Sequence, residues 1–225
     1  MNRLECIKSM VSECSIAADI GTDHGYVAEM LLLDNVCEKI IATDVNEGPL
    51  NRAIEHLTSL ELNSKCDFRL GSGLTVLKEN EVDAIIIAGM GGELITDIIK
   101  TSKNIALQAK ELILQPMTTG NKLRQYLYEN GFKIIDENIV KEMHHYYFII
   151  KAVSGKDEIK DEIYYEISKK VLKKKDPLMN EYMSKLLNTN ENIIRSIEKN
   201  TSSDYNKKIE TLRVKNKKIR ELMEN

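Results

Sequence analysis

The sequence predicts an open α/β domain, whose mostly parallel sheet ends in an antiparallel strand, followed by a helical extension. Short apolar runs bounded by turn residues alternate with stretches of helical period through the first 130 or so residues. Two strand-like runs then follow with only a short link between them. Beyond residue 156 the strand pattern gives way to charged helix. We therefore place a first domain at 1–155 and a second at 156–225.

The alternating part of the sequence supplies five strands. The most continuous apolar runs, AIIIA and ELILQ, are typical of parallel strands that helices bury on both faces. The predicted strands are 15–20, 39–43, 66–70, 82–88 and 111–114, and the predicted helices are 2–11, 27–33, 49–60, 94–100 and 121–129.

The last two runs, FKIIDENIV (132–140) and YYFIIKAV (146–153), are joined by only KEMHH. Parallel strands need a crossover of a dozen or more residues, whereas a short link joins antiparallel strands. The sheet is therefore predicted to end in a hairpin, unlike the all-parallel sheet of nicotinamide-binding domains.

The second domain is predicted to contain two antiparallel helices, with a break at 188–190. The second helix carries a narrow apolar seam with one polar position, as in coiled coils. The seam residues are Tyr205, Ile209, Leu212, Asn216, Ile219 and Met223. A helical pair that serves only stability is the alternative to one that holds a partner.

The composition is that of a globular protein, with 42% hydrophobic and 30% charged residues. No apolar run approaches the ~20 residues of a membrane span, and the N-terminus lacks the apolar stretch of a signal peptide. The four cysteines form no C-x-x-C pair and have no histidine at ligand spacing, so we expect no metal and a cytoplasmic location. We also expect a monomer.

The charge differs between the two domains. Residues 1–155 carry 15 Lys and Arg against 22 Asp and Glu, whereas residues 156–225 carry 17 against 13. A basic extension favours a polyanionic partner, although basic helix faces are commonly just solvated. Lys122, Arg124 and residues 173–175 are candidates for phosphate contact, and each also fits an ordinary solvated surface.

The segment AADIGTDHGY (17–26) couples the first strand to a turn in which Gly21 and Gly25 let a ligand approach the backbone. The middle glycine of the dinucleotide pattern G-x-G-x-x-G is missing. Asp19 and Asp23 would repel a diphosphate but suit the ammonium and sulfonium charges of S-adenosylmethionine. The turn therefore predicts a site for this cofactor.

Three further strand ends complete the predicted cofactor pocket. Asp44 is placed to accept hydrogen bonds from ribose hydroxyls. The small residues after the third strand leave room for an adenine ring, and the glycine-rich end of the fourth strand implies a closely approached backbone. The predicted contacts at these two ends are Gly71, Ser72, Gly73, Ala88, Gly89 and Met90.

The acceptor side lacks the Asn/Asp-Pro-Pro-aromatic motif with which enzymes that methylate exocyclic amines hold the amine. Its absence favours a ring nitrogen as the methyl acceptor.

Five motifs occur together and in order: ADIGTDHGY, the Gly48-Pro49 pair, RLGSGL, IAGMGGELI and LILQP. Over residues 4–153 they resemble the bacterial tRNA (adenine-22, ring nitrogen 1) methyltransferase family. The resemblance implies a class I methyltransferase fold, S-adenosylmethionine as methyl donor, a tRNA substrate, and a coiled-coil tail that helps to hold RNA. Three positions depart from the family pattern: Asp44 stands for a glutamate, Met117 for a frequent asparagine and Phe148 for a common glutamate.

Ring nitrogen 1 of adenine can attack a methyl group directly, so a strong general base is not required and alignment carries the catalysis. The predicted catalytic residues are Asp23, His24 and Gln115, with a turn-shaping hydrogen bond as the alternative role of His24. Glu93 is expected at a helix start.

A target adenine in a stem must leave its stack. Met90, Tyr146 and Tyr147 are candidates to stack against it, and core positions are the alternative for the tyrosines. Two other functions stay open: a nicotinamide oxidoreductase, and a non-catalytic RNA-binding protein that retains the cofactor pocket.

Overall fold

The computed structural model describes residues 1–199 and 206–224. The chain divides into two compact units, Met1–Ile159 and Lys160–Asn225. The sequence analysis placed this boundary after residue 155.

The first unit contains a seven-stranded sheet with the order β3-β2-β1-β4-β5-β7-β6. Neighbouring strands among β1 to β5 pair in parallel, and β7 is antiparallel to both of its neighbours, β5 and β6. The predicted sheet with an antiparallel last strand is confirmed. The strands are β1 (Cys14–Ile20), β2 (Cys37–Asp44), β3 (Cys66–Leu70), β4 (Ala84–Met90), β5 (Glu111–Pro116), β6 (Phe132–Glu142) and β7 (His145–Ser154).

The predicted closing hairpin is tighter than its five-residue link suggested. The ladder of β6 and β7 continues to the pair Glu142 and His145, so that only Met143 and His144 form the turn. The tip of the hairpin therefore extends beyond the apolar runs that indicated it.

Helices cover both faces of the sheet. The helices of the first unit are α1 (Arg3–Met10), α2 (Tyr26–Leu33), α3 (Glu47–Ser59), α4 (Gly92–Thr101), α5 (Lys103–Gln108) and α6 (Gly120–Glu129). Sequence analysis missed α5, which has six residues and buries only Ala106. A helix this short gives almost no periodic signal.

Alternate side chains of the central strand β4 pack into the two cores on opposite faces of the sheet. Ile85 and Ile87 pack into the core beneath α4, α5 and α6, whereas Ala84 and Ile86 pack into the core beneath α1, α2 and α3. Side chains alternate along a strand, so a strand covered on both faces needs apolar residues at every position.

The second unit consists of the short helices α7 (Ile163–Glu166) and α8 (Lys169–Lys174) and two long ones, α9 (Pro177–Glu198) and α10 (Asn206–Glu224). Arg213 pairs with Glu198 and Arg220 with Glu191, which makes α9 and α10 antiparallel. Of the predicted seam, Tyr205 lies outside the described residues.

The predicted break at 188–190 is wrong, because α9 runs through it without interruption. Asn190 is buried inside this helix, and its side-chain nitrogen donates to Oδ1 of Asn216 at 2.8 Å. Thr189 donates its hydroxyl to the carbonyl of Lys185, one turn earlier. The polar residues therefore have partners within the helical pair and do not end the helix.

We expect Asn190→Leu to lower the free energy of unfolding by about 1–3 kcal/mol, because it leaves the buried amide of Asn216 without its partner. Asn190→Leu combined with Asn216→Leu should recover most of this loss, since both polar groups are then removed. Urea unfolding followed by circular dichroism at 222 nm measures both variants. Equal losses in the double and single variants would refute the pairing.

Candidate functional site

The carboxyl ends of β1 to β5 meet at one edge of the sheet, where open α/β sheets bind their ligands. Exposed large apolar side chains lie at or just after these strand ends, namely Tyr26, Val45, Leu70, Leu94 and Met117. Val45 and Leu70 are not among the contacts that the sequence predicts, because their exposure depends on the tertiary structure. This edge of the sheet therefore offers apolar surface to a ligand.

The turn after β1 depends on its glycines. Gly21 and Gly25 have φ angles of +76° and +74°, which residues other than glycine rarely adopt. The amides of Gly21 and Thr22 both donate to the carbonyl of Thr43 at 2.8 Å, which ties the turn to β2. A Cβ on Gly21 would lie 2.2 Å from Cε of Met90. The structure thus brings together Gly21 and Met90, two predicted cofactor contacts from different strands.

Asp19 lies just before this turn and is 3% exposed. The hydroxyl of Thr22 donates to its Oδ2 at 2.7 Å. Burial raises the pKa of the Asp19 carboxyl to about 6, and the nearby charge of Asp44 contributes in the same direction. A cation bound beside Asp19 would offset the cost of holding this carboxylate out of water.

Asp44 ends β2 and is also buried. Its Oδ1 accepts a hydrogen bond from the amide of Asn46 at 2.9 Å, and its carbonyl accepts one from the amide of Gly71. These two bonds fix the carboxylate next to the end of β3. The hydrogen bonds between Asp44 and the ribose of the cofactor stay a prediction.

The glycines after β3 have a packing role in this structure. A Cβ on Gly71 would lie 2.2 Å from Cγ1 of Val76, and one on Gly73 would lie 2.9 Å from Cγ2 of Ile98. Close packing therefore accounts for both glycines. The contact of Gly71, Ser72 and Gly73 with an adenine ring stays a prediction.

Asp23 and His24 associate with α2 and α3. Nη2 of Arg52 donates to Oδ1 of Asp23 at 2.5 Å, and Nε2 of His24 lies 3.8 Å from its other oxygen. The ring of His24 stacks on that of Tyr26, with centroids 5.4 Å apart and planes 13° from parallel. These contacts shape the outer side of the turn.

Gln115, near the end of β5, is fully buried. Its Oε1 accepts hydrogen bonds from the amide of Gly89 at 3.0 Å and from Nη1 of Arg3 at 2.7 Å. Its Nε2 donates to the carbonyl of Pro116 at 3.0 Å. With both ends of its amide engaged, Gln115 positions the ends of β4 and β5.

Arg3 is the site residue that sequence analysis missed most clearly. In addition to Gln115 it contacts the hairpin tip, because its backbone amide donates to Oε1 of Glu142 at 2.7 Å. Its guanidinium carbon lies 5.7 Å from the ring centre of Tyr147. Arg3 and Gln115 are 112 residues apart in the chain, so no local pattern indicated the contact.

Two of the basic candidates are engaged elsewhere. Arg124 is 2% exposed and its Nε donates to Glu137 at 2.8 Å, so its assignment to phosphate contact is wrong. Lys122 forms an ion pair with Glu93, which lies in the first turn of α4 as expected.

Among residues 1–199 and 206–224, no group of three or more His, Cys, Asp and Glu side chains is arranged to hold a metal ion. None of the helices in these ranges is long and apolar enough to cross a membrane.

A family model described as a methyltransferase domain matches residues 1–150. The curated tRNA (adenine(22)-N(1))-methyltransferase of Bacillus subtilis is 35% identical over 153 residues, which are 68% of this chain and 64% of that relative. The matched region thus spans slightly less than two thirds of that relative.

Several solved structures are similar to this protein over nearly the whole chain. The crystal structure of the B. subtilis M1A22 tRNA methyltransferase TrmK has a TM-score of 0.90 and 28% identity, covering 98% of this chain and 97% of that one. The structure of M. capricolum TrmK in complex with S-adenosyl-homocysteine has a TM-score of 0.85 and 26% identity, covering 100% and 97%.

We expect Gln115→Leu to lower the free energy of unfolding by about 1–3 kcal/mol, because it removes the hydrogen bonds of Gln115 to the amide of Gly89, the guanidinium of Arg3 and the carbonyl of Pro116. Hydrogen exchange at the Gly89 amide should accelerate for the same reason. Gln115→Glu is the matched control, since a carboxylate still accepts from Gly89 and Arg3. Unchanged exchange at Gly89 in Gln115→Leu would contradict the positioning role.

Asp19→Asn should stabilise the ligand-free protein at pH 7, by about 1–3 kcal/mol. A carboxyl whose pKa is raised on folding favours the protonated form in the folded state, so stability falls as pH rises from about 4 through about 6. The difference between the variant and the original protein should therefore vanish towards pH 4. Thermal unfolding across this range tests it, with the exposed Asp97→Asn as control; a pH-independent difference would refute it.

Proposed function

The chain belongs to the methyltransferase-domain family, and we propose that within it the chain is a bacterial tRNA (adenine(22)-N(1))-methyltransferase. It transfers a methyl group from S-adenosylmethionine to ring nitrogen 1 of adenine 22 in tRNA. We further propose that it acts in the cytoplasm as a monomer.

The observation that carries the proposal is the buried carboxylate of Asp19 beside the glycine turn. Burial raises the pKa of this carboxyl, and the hydroxyl of Thr22 compensates its charge only in part. A ligand with positive charge at this place gains from the interaction, and a diphosphate loses. The residues present therefore fit S-adenosylmethionine and disfavour a nicotinamide dinucleotide.

The remaining predicted contacts are proposed to bind different parts of the cofactor: the ribose, the adenine ring and the methionine end. Asp44 is proposed to accept hydrogen bonds from the ribose hydroxyls, since its carboxylate is held at the end of β2. Val45 and Leu70, exposed at the neighbouring strand ends, are proposed to flank the adenine ring together with Gly71, Ser72 and Gly73. The turn residues Gly21, Asp23, His24 and Gly25 are proposed to line the methionine end.

The end of β4 is proposed to form the acceptor side. Bound S-adenosylmethionine supplies an electrophilic methyl group, so the protein needs to align the acceptor nitrogen and to exclude water. Ala88, Gly89 and Met90 form this surface, and Gln115 fixes the backbone of Gly89. We therefore assign Gln115 a positioning role, acting through Gly89 on the base. Asp19 and Asp44 add negative charge that favours the cationic product.

The decisive experiment combines binding and turnover. Calorimetry should detect S-adenosylmethionine and give no heat with NAD. Incubation with methyl-labelled donor and tRNA should then place label on an adenine, and nuclease mapping should locate it at position 22. Failure to bind the donor would overturn the proposal. Donor binding without transfer to RNA would favour the non-catalytic RNA-binding alternative.

Asp44→Asn tests the cofactor assignment within that experiment. Loss of a charged acceptor should weaken S-adenosylmethionine binding by roughly ten- to a hundredfold, because hydrogen bonds to charged groups contribute about 1.5–3 kcal/mol. Glu38→Gln is the matched control, since Glu38 is an exposed acid near the opposite end of the same strand. Equal affinity in both variants would remove Asp44 from the pocket.

A further inference from the structure

The tip of the β6–β7 hairpin presents an exposed apolar side chain. Met143 is 86% exposed, the most of any large apolar residue described, and it occupies a two-residue turn. Its φ angle is +51°, a left-handed conformation that glycine and asparagine adopt more readily than methionine. Neither burial nor backbone preference therefore accounts for a methionine at this position.

The hairpin tip lies at the same edge of the sheet as the proposed acceptor site. β6 runs antiparallel to β7, which runs antiparallel to β5, so β6 and β5 end on the same side. A chain of hydrogen bonds joins the two places: Glu142 accepts from the amide of Arg3, and the guanidinium of Arg3 donates to Gln115. Gln115 in turn accepts from the amide of Gly89, on the acceptor surface.

The residues around Met143 have the chemistry of an RNA-binding surface. Nζ of Lys141 lies 5.3 Å from the ring centre of Tyr146, and the rings of His145 and Tyr147 are stacked 6.2 Å apart. Cations and aromatic rings together suit phosphates and unstacked bases. This tip stands out in a domain whose acidic residues outnumber its basic ones.

We propose that the hairpin tip docks on the tRNA beside the target adenine, and that Met143 enters the base stack as that adenine leaves it. This inference rests on the proposed function. Enzymes that modify a base inside a helix must extrude it, and apolar side chains such as methionine serve as wedges between base steps. A rigid hairpin anchored to the acceptor surface holds such a wedge at a fixed distance from the methyl donor.

Two variants of Met143 separate the wedge from the turn. Met143→Asn keeps a residue that tolerates the left-handed turn and removes the apolar side chain, whereas Met143→Leu retains an apolar side chain. The first assay uses tRNA in which 2-aminopurine replaces the target adenine, because its fluorescence rises on unstacking. The original protein and Met143→Leu should increase the fluorescence, and Met143→Asn should lose most of that increase.

The second assay compares methylation of intact tRNA with methylation of a tRNA whose nucleotide opposite the target adenine is abasic. Met143→Asn should be slower on intact tRNA by roughly tenfold and much closer to normal on the abasic substrate, since the loss of the pairing partner lowers the cost of extruding the adenine. S-adenosylmethionine binding should be unchanged in both variants.

Equal rates of Met143→Asn and the original protein on intact tRNA would overturn the wedge, and so would an equal loss on both substrates. Loss of self-association in Met143→Asn, measured by sedimentation, would assign the tip to a second copy of the chain instead. If the original protein methylates neither substrate, the proposed function fails. The fluorescence assay still decides the wedge in that case, because it does not require methyl transfer.

Discussion

The bulge at the end of β4 is the constraint on which the site depends. The register of β4 against β5 shifts between Ala88 and Met90, so Gly89 has no place in the ladder. Its backbone amide, which no strand partner accepts at this position, takes an acceptor from a side chain instead. The side chain of Gln115 supplies it, and the same oxygen accepts from Arg3. The buried side-chain amide of Gln115 thus holds the bulge in place between the paired residues Ala88 and Met90.

On the donor side of the proposed site, the fold retains an unfavourable buried charge, that of Asp19. The carboxylate of Asp19 is buried with one hydroxyl as its side-chain hydrogen-bond donor, and Asp44 lies close enough to raise its pKa further. Ligand-free protein bears this cost, and a cationic ligand removes it. Stability and affinity are therefore coupled through the same atoms, as expected where a site is built for binding rather than for folding.

The sequence predicted what depends on neighbours in the chain, and it missed what depends on distant partners. The strand and helix pattern and the acids at the ends of β1 and β2 were all readable, because each is encoded within about ten residues. Asn190 looked like a helix break because its partner, Asn216, is 26 residues away. Arg124 was predicted to be a surface cation because its partner, Glu137, lies 13 residues later in β6, where the pattern around Arg124 does not reveal it. No local sequence pattern indicated the contacts of Arg3, because its partners Gln115 and Glu142 lie far away in the chain.

Arg3 also supports the alignment that the proposed acceptor side requires. It binds both Glu142 at the hairpin tip and Gln115 behind the bulge. The two cannot move independently without breaking a charge-assisted hydrogen bond, which is worth roughly 1.5–3 kcal/mol. An acceptor nitrogen that attacks with its own lone pair requires alignment above all, and alignment is what such a rigid connection provides. Through the backbone amide and the guanidinium of one residue, the first helix of the chain therefore holds strand ends that lie more than a hundred residues later.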